Sequence, residues 1–299
     1  GKDCTTNIDR AMIANNEADY GGGVGVFDGG SPTITNSLIS GNVASKWGGG
    51  LLVYSGAAAE LRRVSFERNN AELGGGAVAY TKSSFTVIAS KFVSNVASVY
   101  GGAIQLQTQA VVELTHTRLV ANAATVGGGG VHVTSGASLS VIGGQLDGNK
   151  ASQSGGGGIL CEGGTYGGGN VSMTSGTIVV DNACGTLGGG VHMTGGCFAR
   201  FSDGVTFTRN VAGHVASSFA SDSQCSKQGS AGGGAVAVEP NEESGRPTTL
   251  IASECVITDN VAPDGGGIIV TDKCEGGGGA GWQKAGADVR LAANIISGN

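Results

Sequence analysis

The sequence predicts an all-β chain: a right-handed parallel β-helix with three short strands per coil, about 26–27 residues per coil and roughly ten coils. Three observations carry this. An Asn followed two residues later by a small residue recurs at Asn16, Asn42, Asn69, Asn95, Asn122, Asn149, Asn182, Asn210, Asn260 and Asn299, and the first five intervals are 26, 27, 26, 27 and 27 residues. A glycine-rich run follows soon after the anchors, as in Gly48-Gly49-Gly50-Leu51 and Gly101-Gly102-Ala103-Ile104. The rest of each period is built of short alternating apolar and polar pieces bounded by Gly, Ser and Asn, which is the pattern of strands. With 58 Gly in 299 residues, long helices are disfavoured.

Within one period the first strand follows the glycines, as in Leu51-Leu52-Val53-Tyr54 or Val131-His132-Val133-Thr134. A small-residue turn comes next, Ser55-Gly56-Ala57 or Ser135-Gly136-Ala137. The second strand alternates, as in Ala59 to Val64, and the third runs into the anchor, as in Ser65-Phe66-Glu67-Arg68-Asn69. A propeller blade needs about 40 residues and four antiparallel strands. The Leu scaffold of a leucine-rich repeat is missing. Handedness follows from the rule for crossovers between parallel strands.

Aligning the glycine runs separates inward from outward positions. The first position reads Val24, Leu51, Ala77, Ile104, Val131, Ile159, Val191, Ala235 and Ile268; the third reads Val26, Val53, Ala79, Leu106, Val133, Cys161, Met193, Ala237 and Val270. Both columns are apolar throughout, so they share the core face. The anchor Asn is expected at a bend between sheets, bonding to the turns above and below and accepting a left-handed backbone. The glycines are expected to supply positive φ or close packing of coils.

The second position points outward by the same alternation: Gly25, Leu52, Val78, Gln105, His132, Leu160, His192, Val236 and Ile269. Leu52, Val78, Leu160, Val236 and Ile269 are apolar there, which suggests contact with another protein or cover by loops. The fourth position opens with Phe27, Tyr54 and Tyr80, a ladder of one ring per coil suited to a sugar chain or a partner surface, or to like-on-like stacking. His132 and His192 lie two coils apart, roughly 10 Å, too far to share a metal, and read as solvated.

Composition excludes several classes. Charged residues make up 13% and the net charge is −6, which argues against a nucleic-acid surface. No apolar run approaches the ~20 residues of a membrane helix. No Cys-x-x-Cys or His-x-x-x-His occurs, so neither a structural zinc site nor any cofactor is expected. The seven Cys point to at least one disulfide and an oxidising compartment. Cys161 and Cys184 read as small buried thiols, whereas Cys225 could pair with Cys197 or with Cys274. Asn170-Val171-Ser172 is a glycosylation sequon.

The chain reads as one β-helix domain over 1–299 with insertions near 161–170, 213–231, 239–249 and 274–286. It has no initiator Met, and it closes with Ile296-Ser297-Gly298-Asn299, a repeat of Ile39-Ser40-Gly41-Asn42, so a fragment of a longer solenoid is expected. Insertions in solenoids become flank loops, often on the binding face. A polysaccharide lyase or hydrolase would need paired carboxylates or a Ca²⁺ cluster. The best candidates are Asp259, Asp264 and Asp272, and no second coil adds to them, so catalysis is not expected.

The motifs Phe66-Glu67-Arg68-Asn69, Phe92-Val93-Ser94-Asn95 and Phe207-Thr208-Arg209-Asn210, with Gly75-Gly76-Ala77-Val78, Gly101-Gly102-Ala103-Ile104 and Gly233-Gly234-Ala235-Val236, make the unit resemble the repeats of chlamydial polymorphic membrane proteins. That resemblance implies a secreted β-helical passenger acting in adhesion. In other turns the Phe is replaced by Leu38, Leu119, Leu146, Val179 or Ile257. The expected function is a non-catalytic structural or adhesive β-helix of a large extracellular or cell-surface protein. Its expected partners are other protein chains or copies of itself, laterally or end to end, and cell-surface glycans. A carbohydrate-active enzyme or a glycan-binding module is the alternative.

Overall fold

The computed structural model describes residues 4–213, 232–240, 246–270 and 287–299. Among the described residues all regular structure is strand, arranged in four wholly parallel sheets. We name them A to D in the order the chain visits them. The coil around Phe66 shows the path: Ala58–Arg62 in sheet A, Ser65–Glu67 in B, Asn70–Leu73 in C and Ala77–Tyr80 in D. The three strands expected per coil are thus joined by a fourth, in sheet C, which starts just after the anchor. Sheet C shrinks to two residues in later coils, as at Ala123–Ala124 and Ala183–Cys184, too short for a period-two signal in the sequence.

The core is made of stacked columns. Ile39, Phe66, Phe92, Leu119, Leu146, Val179, Phe207 and Ile257 form one, each fully or almost fully buried; Ile39, not Leu38, takes the place of the Phe, because Leu38 pairs with Ser65. The rings of Phe66 and Phe92 lie parallel at 4.4 Å. This explains the Phe-x-x-Asn motif: the ring fills the core three residues before the Asn closes the bend. Sheet D supplies two further columns, beginning at Val24 and Val26 and running on through Leu51 and Val53.

One coil departs from the alignment drawn above. Val191 pairs with Val236, and Val236 pairs with Ile268. Ala235 therefore occupies the place of a third glycine, like Ala103 beside Gly130. Val236 belongs to the core column, not to the outward one, and Ala237 takes the outward slot.

The anchors form an unbroken ladder. The Oδ1 of Asn69 accepts both the backbone N–H of Asn42 at 3.0 Å and its Nδ2 at 3.0 Å, while Asn69 Nδ2 donates to the carbonyl of Ile39 at 2.9 Å. The pattern recurs from Asn16 to Asn299, including the long intervals from Asn149 to Asn182 and from Asn210 to Asn260. Each interior anchor is fully or almost fully buried. The long intervals therefore leave the ladder unbroken. The left-handed residue is the one before the anchor, not the anchor itself, as at Arg68 (φ 52°), Ser94 (φ 54°) and Ala121 (φ 53°).

Glycine has two separate duties in the run. Gly48 turns the chain from sheet C to D at φ 69°. At Gly49, a Cβ would lie 2.5 Å from the carbonyl oxygens of both Asn70 and Gly75 in the next coil, so only hydrogen fits.

Candidate functional site

The sharp turn at the first glycine folds sheet C back beside sheet D, and the two enclose a narrow seam. Second-position side chains of sheet D form its floor. The floor is reachable because glycine lacks a side chain at the turn: Val78 packs where a Cβ on Gly74 would sit, and Leu160 packs the same way against Gly127. Leu52, Val78 and Leu160 are consequently 1%, 2% and 2% exposed. They are covered by their own chain and offer no partner surface. Val236 is core, as shown above, and Ile269 is half-buried.

Two rims flank the seam. On the D side, Phe27, Tyr54 and Tyr80 stand one coil apart, Phe27 and Tyr54 at 6.3 Å and Tyr54 and Tyr80 at 5.5 Å between ring centroids. On the C side, Tyr20 and Trp47 reach across to them. Trp47 lies 4.9 Å from Tyr80, 6.5 Å from Tyr54 and 5.1 Å from Tyr20. Lys46 Nζ sits 5.1 Å from the Tyr20 ring centroid and donates to its hydroxyl at 3.1 Å. These five rings form a strip along the axis, exposed at Tyr20 and Phe27 and half-buried at the other three. The sequence reading found the D rim and missed the C rim. The signal was present: Tyr20, Trp47 and Tyr100 each stand immediately before a glycine run.

Further along, the seam changes chemistry. Its floor becomes Gln105, His132, Leu160 and His192 in successive coils, and the two histidines are 2% and 6% exposed, so they are buried and not solvated. His132 Nδ1 lies 2.8 Å from Gln105 Oε1, and its Nε2 lies 2.8 Å from Glu162 Oε1. Tyr100 stacks on the His132 ring at 4.4 Å. His192 Nε2 lies 2.8 Å from Glu239 Oε2, while its Nδ1 is buried without a hydrogen-bond partner. Burial pushes the Glu162 carboxyl up, but the His132 hydrogen bond and the charges of His132 and His192 outweigh it, leaving Glu162 below the ordinary glutamate range. Burial, then the Glu162 charge, raises the Tyr100 phenol. Alternation put these histidines on the outer face correctly; the fold-back that buries that face is a tertiary effect.

The cysteine pairing differs from expectation. Cys161 and Cys197 form a disulfide inside the core, with Cα atoms 6.0 Å apart, tying a sheet D strand to the next coil. Cys197 is thus not available to Cys225, which lies outside the described residues, as does Cys274. Both were hard to pair from sequence because Cys161 reads as a plain core residue. Cys184 packs against Ala151 and Ala212, and burial pushes its thiol up to about 11, as expected of an inert core thiol.

Asn170 is exposed at the start of the sheet A strand Asn170–Thr174, between Ser138 and Phe198 of the adjacent coils. Asp259 lies in the left-handed turn before its anchor (φ 57°) and Asp264 beside the next glycine run. No hydrogen bond or ion pair joins them, and Asp272 lies outside the described residues. Among the described residues, no three His, Cys, Asp or Glu side chains are placed to hold a metal ion. No described helix is long and apolar enough to cross a membrane.

Stacked parallel coils, an interior Asn ladder and a glycine-turned seam define the chain as a right-handed parallel β-helix. It belongs to the family described as right handed beta helix region, whose model matches residues 2–166. No curated protein and no solved structure matches the chain.

Proposed function

We propose that this β-helix is a non-catalytic rod of an extracellular or cell-surface protein, and that it makes adhesive lateral contacts through the aromatic strip. The observation that carries this reading is the row of five mutually packed rings, Tyr20, Phe27, Trp47, Tyr54 and Tyr80, left partly open along one side of the stack. Rings fixed by their neighbours lose little freedom on binding and offer large apolar area. The strip suits either another chain or the ring faces of a sugar. The buried disulfide supports an oxidising compartment. The resemblance to secreted adhesive repeats points the same way.

The test uses the triple variant Trp47→Ser/Tyr54→Ser/Tyr80→Ser, with circular dichroism to confirm the β signature. Sedimentation velocity reads self-association, and a glycan array reads sugar binding. The wild type is expected to bind in at least one format and the variant at least tenfold more weakly. Equal binding by both proteins would remove the strip from the reading. Turnover of uronic-acid polymers, with or without Ca²⁺, would replace it with an enzyme.

A further inference from the structure

On the opposite side of the coil from the seam, the bend between sheets A and B carries an unusual cluster of cations. Arg63, Ala89 and His116 occupy equivalent left-handed positions in three successive coils, at φ 53°, 48° and 47°. Two residues on, Ser65 pairs with Lys91 and Lys91 with Arg118, giving a second column beside the first. Arg63, Lys91, His116 and Arg118 together line one shallow concavity of about 340 Å³, and no carboxylate lines it. The whole chain carries a net charge of −6, so this pocket runs against the general field.

Small side chains make the concavity. Ala89 stands between Arg63 and His116, which are two coils apart, roughly 10 Å by strand spacing. The methyl of Ala89 leaves that gap open. Ser65 is likewise the small neighbour of Lys91. Arg63 and Lys91 are held by other groups and still have hydrogens to give. Arg63 Nε donates to Asn36 Oδ1 at 2.7 Å, which leaves its two terminal nitrogens uncommitted by that bond. His116 Nδ1 donates to the carbonyl of Gly143 at 3.2 Å, so Nε2 is turned away from that bond and becomes a donor to an anion only in the protonated ring. Lys91 Nζ is 2.9 Å from Glu67 Oε1, and its two remaining hydrogens are not used by that pair. Arg118 has no ion-pair partner among the described residues. Pre-oriented donors from three coils suit a small ligand with several acceptor oxygens.

We propose that this concavity binds an oxyanion of the sulfate or phosphate type, either as a free ion or as an ester carried on a polymer. The site is separate from the aromatic strip, so it stands whether or not the strip is adhesive.

The test is a ¹H–¹⁵N NMR titration of the whole chain with sodium sulfate, followed by dextran sulfate with neutral dextran as its control. Sulfate is expected to give saturable shifts at the amides of Arg63, Ala89 and His116. Arg63→Gln/Arg118→Gln should weaken binding at least tenfold. Arg209→Gln/Arg290→Gln removes the same charge elsewhere and should change it less than twofold. Ala89→Met keeps every charge but fills the gap, and should also weaken binding at least tenfold. Tighter binding of dextran sulfate than of sulfate would assign the ligand to a polymer, and equal binding to a free ion. Absence of saturable shifts, equal weakening in both double variants, or full binding by Ala89→Met would each overturn the site.

Discussion

Between Gly25 and Val78 the seam joining sheets C and D has an apolar floor and a rim of rings; between Gln105 and His192 the same seam has two imidazoles on its floor, either side of Leu160, and carboxylates on its rim. The sheet D backbone does not change between the two stretches, although sheet C shortens from four or five residues to two. Strand pairing stays in register from Leu51 through Ala77, Ile104, Val131 and Ile159 to Val191. The lesson is that the frame and the seam are specified by different residues. Anchors and glycines fix the frame, which leaves the second and fourth positions of sheet D free to carry either chemistry.

If the frame is common, removing an anchor should cost the same in both stretches. Asn69→Ala would leave the backbone N–H and Nδ2 of Asn42 without their acceptor, and Asn182→Ala would do the same to Asn149. Each buried orphan costs roughly 1–3 kcal/mol, so both variants should lose about 4 kcal/mol in urea unfolding. A much smaller loss for Asn182→Ala would show that the later stretch is held by something other than the ladder.

The disulfide is the obvious candidate for such a difference, since it lies only in the later stretch. It closes a loop with a sequence separation of 36 residues. By chain entropy that contributes about 4 kcal/mol. Cys161→Ala/Cys197→Ala should accelerate amide exchange around Ile159 and Val191 while leaving the amides around Leu51 and Ala77 protected. Uniform loss of protection would mean that the stack unfolds as one unit and that the two stretches are energetically inseparable.

The polar seam should also show in acid. Glu162 is held below the ordinary glutamate range, so its contribution to stability is present above that range and is lost as pH falls through its folded value. The wild type should therefore lose more stability between pH 6 and about pH 3 than Glu162→Gln, which has no carboxyl to protonate. Parallel losses in the two proteins would show that the His132–Glu162 pair is energetically neutral, as some buried pairs are.

Much of this was readable in the amino-acid order, and the limits have physical causes. The anchors and glycines were legible because a stacked coil imposes the same local demand every turn, so their positions repeat. The aromatic D rim was legible for the same reason. What escaped was set by contacts between sheets. Leu52 and Val78 alternate as outward residues should, and only the fold-back at Gly48 and Gly74 hides them. Val236 was misplaced by one because Ala235 can stand for a glycine at the third position of the run, where the first two positions cannot be replaced so easily. Cys161 and Cys197 became partners through coil stacking across an insertion of irregular length.

The smallest expected effect isolates one contribution of the frame. The residue before each anchor is left-handed in both stretches, whether it is Arg68, Ala121 or Gly148 (φ 52°, 53° and 61°). For an L-residue that conformation costs roughly 1–2 kcal/mol, while glycine in the unfolded chain loses about 0.5–1 kcal/mol more entropy on folding. A Cβ on Gly148 meets nothing within 4 Å, so Gly148→Ala reports conformation alone and should cost about 0.5–1 kcal/mol. Arg68→Gly and Ala121→Gly should each gain a similar amount. Gly49 has no positive φ, so Gly49→Ala reports the clash with two neighbouring carbonyls and should cost several times more than Gly148→Ala. If the two glycine variants cost the same, steric approach between coils is not what demands glycine at the second position of the run, since Gly49 lacks the positive φ of Gly48 and Gly148.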